Sequence, residues 1–189
     1  KLLARASAHV LGPVRDELSA RLAAAISSGR WELTSDVGDR DQQTLLLRYP
    51  SQFGGGQGRY VQPEVKLEFG ARAEPTPAAT RDIRSFVAEV FPAYAEAGEP
   101  ILALLPERTF WEKAALLHEE TFRPASKPRQ PYLARHYYDL YRLIEHGIGR
   151  RALVDAALFA AVVRHRTLYF APRWVDYPPL ARTHPDTRA

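Results

Sequence analysis

Lysine is scarce in this 189-residue chain, with 22 arginines and only 4 lysines among its 26 basic residues, so an isolated Lys carries information that an Arg does not. Lys113 is the only lysine between residues 67 and 126 and stands in Glu107-Arg108-Thr109-Phe110-Trp111-Glu112-Lys113-Ala114, where Thr109 and Lys113 share a helical face at i and i+4. An ammonium presented from a helix into a cleft neutralises triphosphate as a point charge, whereas on a lone helix the same Lys would be solvated and paired with its neighbours. A second set is Val65-Lys66-Leu67-Glu68-Phe69-Gly70-Ala71-Arg72, in which Glu68 ends the polar face of a strand just before a glycine. A carboxylate on such a rigid support is a hard oxygen donor suited to Mg²⁺, although an exposed strand face with Lys66 paired across strands has the same pattern. The third set is Arg135-His136-Tyr137-Tyr138-Asp139-Leu140-Tyr141-Arg142. Arg135, Asp139 and Arg142 fall at i, i+4 and i+7, and an Asp between two guanidinium groups would stay ionised. An ordinary surface ion-pair ladder has that spacing too, and His136 is either a general base or part of a structural Arg-His-Tyr cluster.

The elements that must hold these groups follow from pattern. Residues 2–26 place Leu3, Val10, Val14, Leu18, Leu22 and Ile26 at helical spacing, with a kink or break at Gly12-Pro13 and an end at Ser27-Ser28-Gly29. Residues 31–33 and 44–49 read as a hairpin-like pair of strands joined by the charged turn at 36–41. After the Gly54-Gly55-Gly56 loop, residues 61–69 alternate, predicting a core face of Val65, Leu67 and Phe69 and a polar face of Glu64, Lys66 and Glu68. Pro75 and Pro77 end that strand, and a connection leads to a short apolar run at 101–105. Residues 107–121 then predict an amphipathic helix with Pro106 near its start and Phe110, Ala114, Leu117 and Phe122 near one stripe. Helices over 132–144 and 151–163 and an irregular tail over 172–189 complete an α+β pattern with a helical C-terminal lobe, divided at residues 1–105 and 106–189.

Composition excludes several classes. Apolar residues make up 46% and charged residues 25%, as in ordinary globular proteins rather than disordered chains. With no cysteine, disulfides, thiolate metal sites and Cys nucleophiles are excluded, and a reducing cytoplasmic location is expected. The longest apolar run, residues 152–163, contains Asp155 and is too short for a bilayer, so no membrane partner is expected. Residues 1–105 carry 12 basic and 13 acidic groups, and residues 106–189 carry 14 and 9, so the second half is the basic half and suits a phosphate-bearing or nucleic-acid partner. The chain starts at Lys1 and contains no Met, which reads as a fragment.

Taken in order, Val-Lys-Leu-Glu-Phe-Gly-Ala-Arg, Glu-Arg-Thr-Phe-Trp-Glu-Lys-Ala-x-x-Leu-His and Arg-His-Tyr-Tyr-Asp-Leu resemble the AbiEii-type nucleotidyltransferase family, whose members include toxins of abortive-infection and toxin–antitoxin systems. The resemblance covers most of residues 1–175, including Gln43-Thr44-Leu45-Leu46-Leu47-Arg48-Tyr49-Pro50. It implies the C-terminal part of a DNA polymerase β-like nucleotidyltransferase core with a helical lobe, using Mg²⁺ and a nucleoside triphosphate (NTP). It places Lys113, Asp139 and Glu68 in the active site as catalytic residues, Glu68 being the fold's third carboxylate and a metal ligand, with Arg72, Arg108 and Arg135 either contacting phosphate or forming structural ion pairs. The implied reaction is attack of an acceptor hydroxyl, tRNA in toxin relatives, on the α-phosphate with release of pyrophosphate. A cognate antitoxin is the implied protein partner.

The family's first motif, a Gly-Gly/Ser helix leading to an Asp-x-Asp strand, is expected upstream of Lys1, so residues 1–189 are expected to be inactive by themselves. Asp39-Arg40-Asp41 follows no Gly-Ser helix and reads as a turn rather than that motif, and Gly54-Gly55-Gly56 lacks the Lys-Ser/Thr of a phosphate-binding loop. The alternative is a non-catalytic module with the same fold that binds nucleic acid or an antitoxin.

Overall fold

Helix runs through residues 2–25 without a break, despite Gly12 and Pro13: α1 (Leu2–His9) passes through a π-helical turn (Val10–Val14) into α2 (Arg15–Ala25). Proline lacks the N–H for an ordinary i→i−4 bond, and the wider π turn absorbs that loss where a break would expose more backbone. The computed structural model describes residues 1–26, 30–51, 62–94, 98–170, 172, 174 and 175. The expected helix end at Ser27-Ser28-Gly29, the Gly54-Gly55-Gly56 loop, Val61 and most of the 172–189 tail lie outside the described residues.

The chain divides into two compact units, Lys1–Ala73 and Glu74–Ala189. In the first, β1 (Glu32–Ser35), β2 (Thr44–Arg48) and β3 (Glu64–Glu68) form an antiparallel sheet in the order β1-β2-β3, with Leu33 opposite Leu47 and Leu45 opposite Leu67. The central strand supplies the buried residues, Leu45 and Leu46, and α1–α2 contributes Val10 at the π turn. As an edge strand, β3 buries less than its alternation predicts: Val65 is 45% exposed and no β3 residue is fully buried. Leu67 and Phe69 instead line an apolar pocket of about 600 Å³ with Pro13, Val14 and Leu18.

The acidic turn between β1 and β2 is spent on folding. The Asp39 carboxylate accepts from the Gln43 amide at 2.8 Å, the Thr44 hydroxyl at 2.8 Å and the Asp41 amide at 2.9 Å, while Asp41 pairs with Arg72. Gln43 and Thr44 are buried, so the turn is tied to the start of the central strand.

In the second unit, β4 (Ala78–Ile83) pairs antiparallel with β5 (Glu99–Leu104), Thr80 lying opposite Leu102. The sequence predicts only a connection, through Ile83 to Val90, between Pro77 and the apolar run at 101–105; pairing with that run makes residues 78–83 a strand. Between them lies α3 (Phe86–Val90), N-capped by Ser85. Four helices follow: α4 (Pro106–Thr121), α5 (Ala134–Glu145), α6 (Ile148–Val154) and α7 (Ala156–Tyr169). The single helix predicted over 151–163 is two, because Asp155 N-caps α7 by accepting from the Leu158 amide at 2.9 Å. The β4–β5 hairpin falls in the same compact unit as these helices. The Leu105 amide bonds the Pro77 carbonyl at 2.9 Å, and Arg108 of α4 bonds the Thr76 carbonyl. Helices and two small antiparallel sheets make this an α+β fold. Among the described residues, no helix is long and apolar enough to cross a membrane.

The hydrogen bond from the Gln43 amide, followed by that from the Thr44 hydroxyl, lowers the pKa of Asp39 from 3.8. A lowered folded-state pKa stabilises the fold above the unfolded value, and that stability is lost as pH falls through the folded one. Asp39→Ala should therefore cost about 1–3 kcal/mol in urea unfolding at neutral pH, and the gap from the unsubstituted protein should narrow as pH falls below the ordinary carboxylate range. A gap that persists unchanged into acid would show that the carboxylate charge is not its source.

Candidate functional site

Helix α4 begins with Pro106 at its first turn, where a missing N–H costs nothing, and Glu107 there complements the helix dipole. Its sides are engaged by different neighbours. Phe110 is buried, and a Cβ on Gly149 of α6 would come within 3.2 Å of its ring, so the close approach of α4 and α6 depends on that glycine. The Trp111 indole donates to the Ala152 carbonyl at 3.1 Å, and its ring packs on Phe159 at 4.5 Å between centroids. Arg108, only 1% exposed, bonds Glu112 at 2.8 Å. Glu119 pairs with Arg166 of α7 at 2.5 Å, both side chains being nearly buried.

Against this rigid helix, α5 brings up its partly buried face of His136, Asp139, Leu140 and Leu143. There the Lys113 ammonium meets the Asp139 carboxylate at 2.6 Å, across 26 residues of sequence. Lys113 is 23% exposed and Asp139 40%, so the pair is open to solvent on one side. The ion pair that Asp139 makes is thus with Lys113 and not with the arginines of its own helix. Arg142 bonds Glu145 at 2.8 Å and contacts His146 at 3.3 Å, and Arg135 is exposed. A helix one turn farther along offers Arg142 an acid at i+3, and an interhelical Lys reaches Asp139 better than a side chain lying along the surface.

His136 stands one turn before Asp139 on the same face. Its Nδ1 is buried without a hydrogen-bond partner among the described residues. Burial first, then the positive charges of Lys113 and Arg135, lower its pKa from 6.5, and Asp139 opposes them, so the ring is neutral at pH 7.

The remaining candidates have other partners. Glu68 is in the first unit, 71% exposed and paired with Lys66 at 3.1 Å; Lys66 also reaches Asp36 at 3.6 Å. These contacts lie along the strand and to the β1–β2 turn rather than to the residue opposite on β2. Arg72 pairs with Asp41 in that unit. Arg108 is buried and ion-paired, with Nη2 unpartnered among the described residues. Among the described residues, no group of three or more His, Asp or Glu side chains is placed to hold a metal ion. Spacing along one helix pointed to Asp139, but nothing in the spacing says that Lys113 is its partner.

The model of the family described as nucleotidyl transferase AbiEii toxin, type IV toxin–antitoxin system, matches residues 3–188. No curated protein and no solved structure matches the chain.

A double-mutant cycle on Lys113→Met and Asp139→Asn should return a coupling of about 1 kcal/mol or less, discounted for the exposure of Asp139. By contrast, Trp111→Ala should cost about 3–5 kcal/mol through loss of packing on Phe159 and of the bond to Ala152. Chemical unfolding of the variants checks both, and a coupling as large as the Trp111 cost would make the ion pair a principal support of the fold.

Proposed function

Because the chain belongs to the AbiEii nucleotidyl transferase toxin family, we propose that it takes part in transfer of a nucleoside monophosphate from an NTP to an acceptor hydroxyl, with Lys113 and Asp139 as its catalytic residues. The observation that carries this reading is the 2.6 Å pairing of Lys113 and Asp139 between α4 and α5, on a face left partly open to solvent. An exposed pair contributes little to stability, so incoming phosphates can take over the Lys113 charge at small cost. That frees the Asp139 carboxylate to accept a hydrogen bond from the acceptor or the sugar. The acceptor oxygen forms a bond to the α-phosphorus, the bond to the bridging oxygen breaks, and pyrophosphate leaves.

An RNA acceptor, tRNA included, is supported by the outer face of α5. Tyr137, Tyr138 and Tyr141 are 60%, 63% and 55% exposed there, beside Arg135 and Arg142. Such rings stack on unpaired bases while guanidinium groups meet the backbone. The proposal includes a DNA polymerase β-like core, with Glu68 as its metal-binding carboxylate, and an antitoxin partner consistent with a type IV system. Magnesium would accompany the triphosphate, but the described residues do not complete a site for it, and no step here is assigned to the ion.

The test is labelling of total RNA by α-radiolabelled nucleoside triphosphates with the full-length gene product. The unsubstituted protein should label RNA, and Lys113→Ala and Asp139→Asn should each lower the rate by about 10²-fold or more. Their melting temperatures should change by only a few degrees. Labelling at the original rate by either variant would overturn its assignment, and no labelling by the unsubstituted protein would favour a binding module instead.

A further inference from the structure

The pairing of Lys113 with Asp139 leaves the ring of His136 unexplained, its Nδ1 being buried without a partner among the described residues. A buried ring nitrogen without a partner is costly, because desolvation is not repaid by a hydrogen bond. His136 nevertheless lies on the same α5 face as Asp139, within the influence of Lys113. We propose that His136 is a further catalytic residue, whose Nε2, the ring nitrogen opposite the buried Nδ1, takes the proton of the acceptor hydroxyl as that oxygen attacks the α-phosphate. The inference rests on the transfer reaction proposed above.

Three features of the site suit this role. Lys113 and Asp139, paired with each other at 2.6 Å, both act electrostatically on the imidazole, so an incoming anionic phosphate and a polar hydroxyl both have counterparts in this part of the site. Neutrality gives the ring a lone pair at pH 7. The charged groups acting on it are Lys113 from α4 and Arg135 and Asp139 from α5, and none from α6. Lys113 and Arg135 disfavour a protonated ring in the resting site, while the negative charge brought by the triphosphate favours the imidazolium formed in the step. The step balances: the hydroxyl proton moves to the ring, the oxygen–phosphorus bond forms, the α–β bridging bond breaks, and pyrophosphate carries away the electron pair.

The experiment compares pH–rate profiles of RNA labelling by the full-length gene product and its His136→Gln variant, alongside NMR titration of the histidine rings. The unsubstituted protein should show kcat rising through an apparent pKa below 6.5 and then levelling. His136→Gln should lower kcat by about 10²-fold, leave KM for the triphosphate nearly unchanged and lose that acid limb. In the titration, the His136 resonance should have a pKa below the usual value, and Lys113→Met should raise it, a readout independent of activity and of whether His136→Gln folds. An unchanged kcat, a retained acid limb, or a His136 resonance indifferent to Lys113 would overturn the proposal. If Lys113→Ala still abolishes labelling in those cases, transfer itself stands and only the role of His136 falls.

Discussion

Helix α4 is wedged among neighbours that differ in chemistry on each side, and the second unit depends on all of them being met at once. Gly149 lets α6 approach the Phe110 ring, Ala152 receives the Trp111 indole, Phe159 stacks on it, and Thr76 receives Arg108. A helix held by contacts of such different directions cannot rotate or slide without losing several together. That immobility turns a flexible lysine into a fixed charge: only because α4 is held does Lys113 meet Asp139 on α5.

Charge pairs on this helix divide by burial. Arg166 with Glu119 is largely removed from solvent on both sides, and Arg108 is buried although its partner Glu112 is 32% exposed, so losing the acid would strand a buried guanidinium in either pair, and both act as structural locks. The Lys113–Asp139 pair is wetter and cheaper to open. Such a pair holds its groups in place yet can exchange partners when a more highly charged ligand arrives, which a buried pair cannot do. The neutral His136 beside it belongs to the same economy, since the cation and the burial that keep its proton away also leave it able to receive one.

The first unit solves a different problem. A three-stranded sheet accompanied by one long helix has little core, and it compensates by concentrating burial in its central strand and pinning the β1–β2 turn through Asp39. There two aspartates separated by one residue are consumed by backbone amides, a hydroxyl and Arg72, none of which is evident from the triplet alone.

Local pattern determined much of this protein. Helical spacing in residues 107–121 and 132–144, the strand at 44–49 and the turn at 36–41 were legible because periodicity, proline position and turn chemistry are properties of adjacent residues. The order of three motifs was enough to point to the AbiEii family, and it offered Lys113 and Asp139 as candidates. Tertiary structure decided the rest. Strand β4 exists because β5 pairs with it, β3 buries less than its alternation promises because it stands at a sheet edge, and α6 and α7 part because the Asp155 carboxylate turns back to cap a helix inside an apolar run. The partner of Asp139 was decided in the same way: spacing along one helix offered two arginines, but a charge chooses by distance in space, and the packing of α4 on α5 put Lys113 nearer.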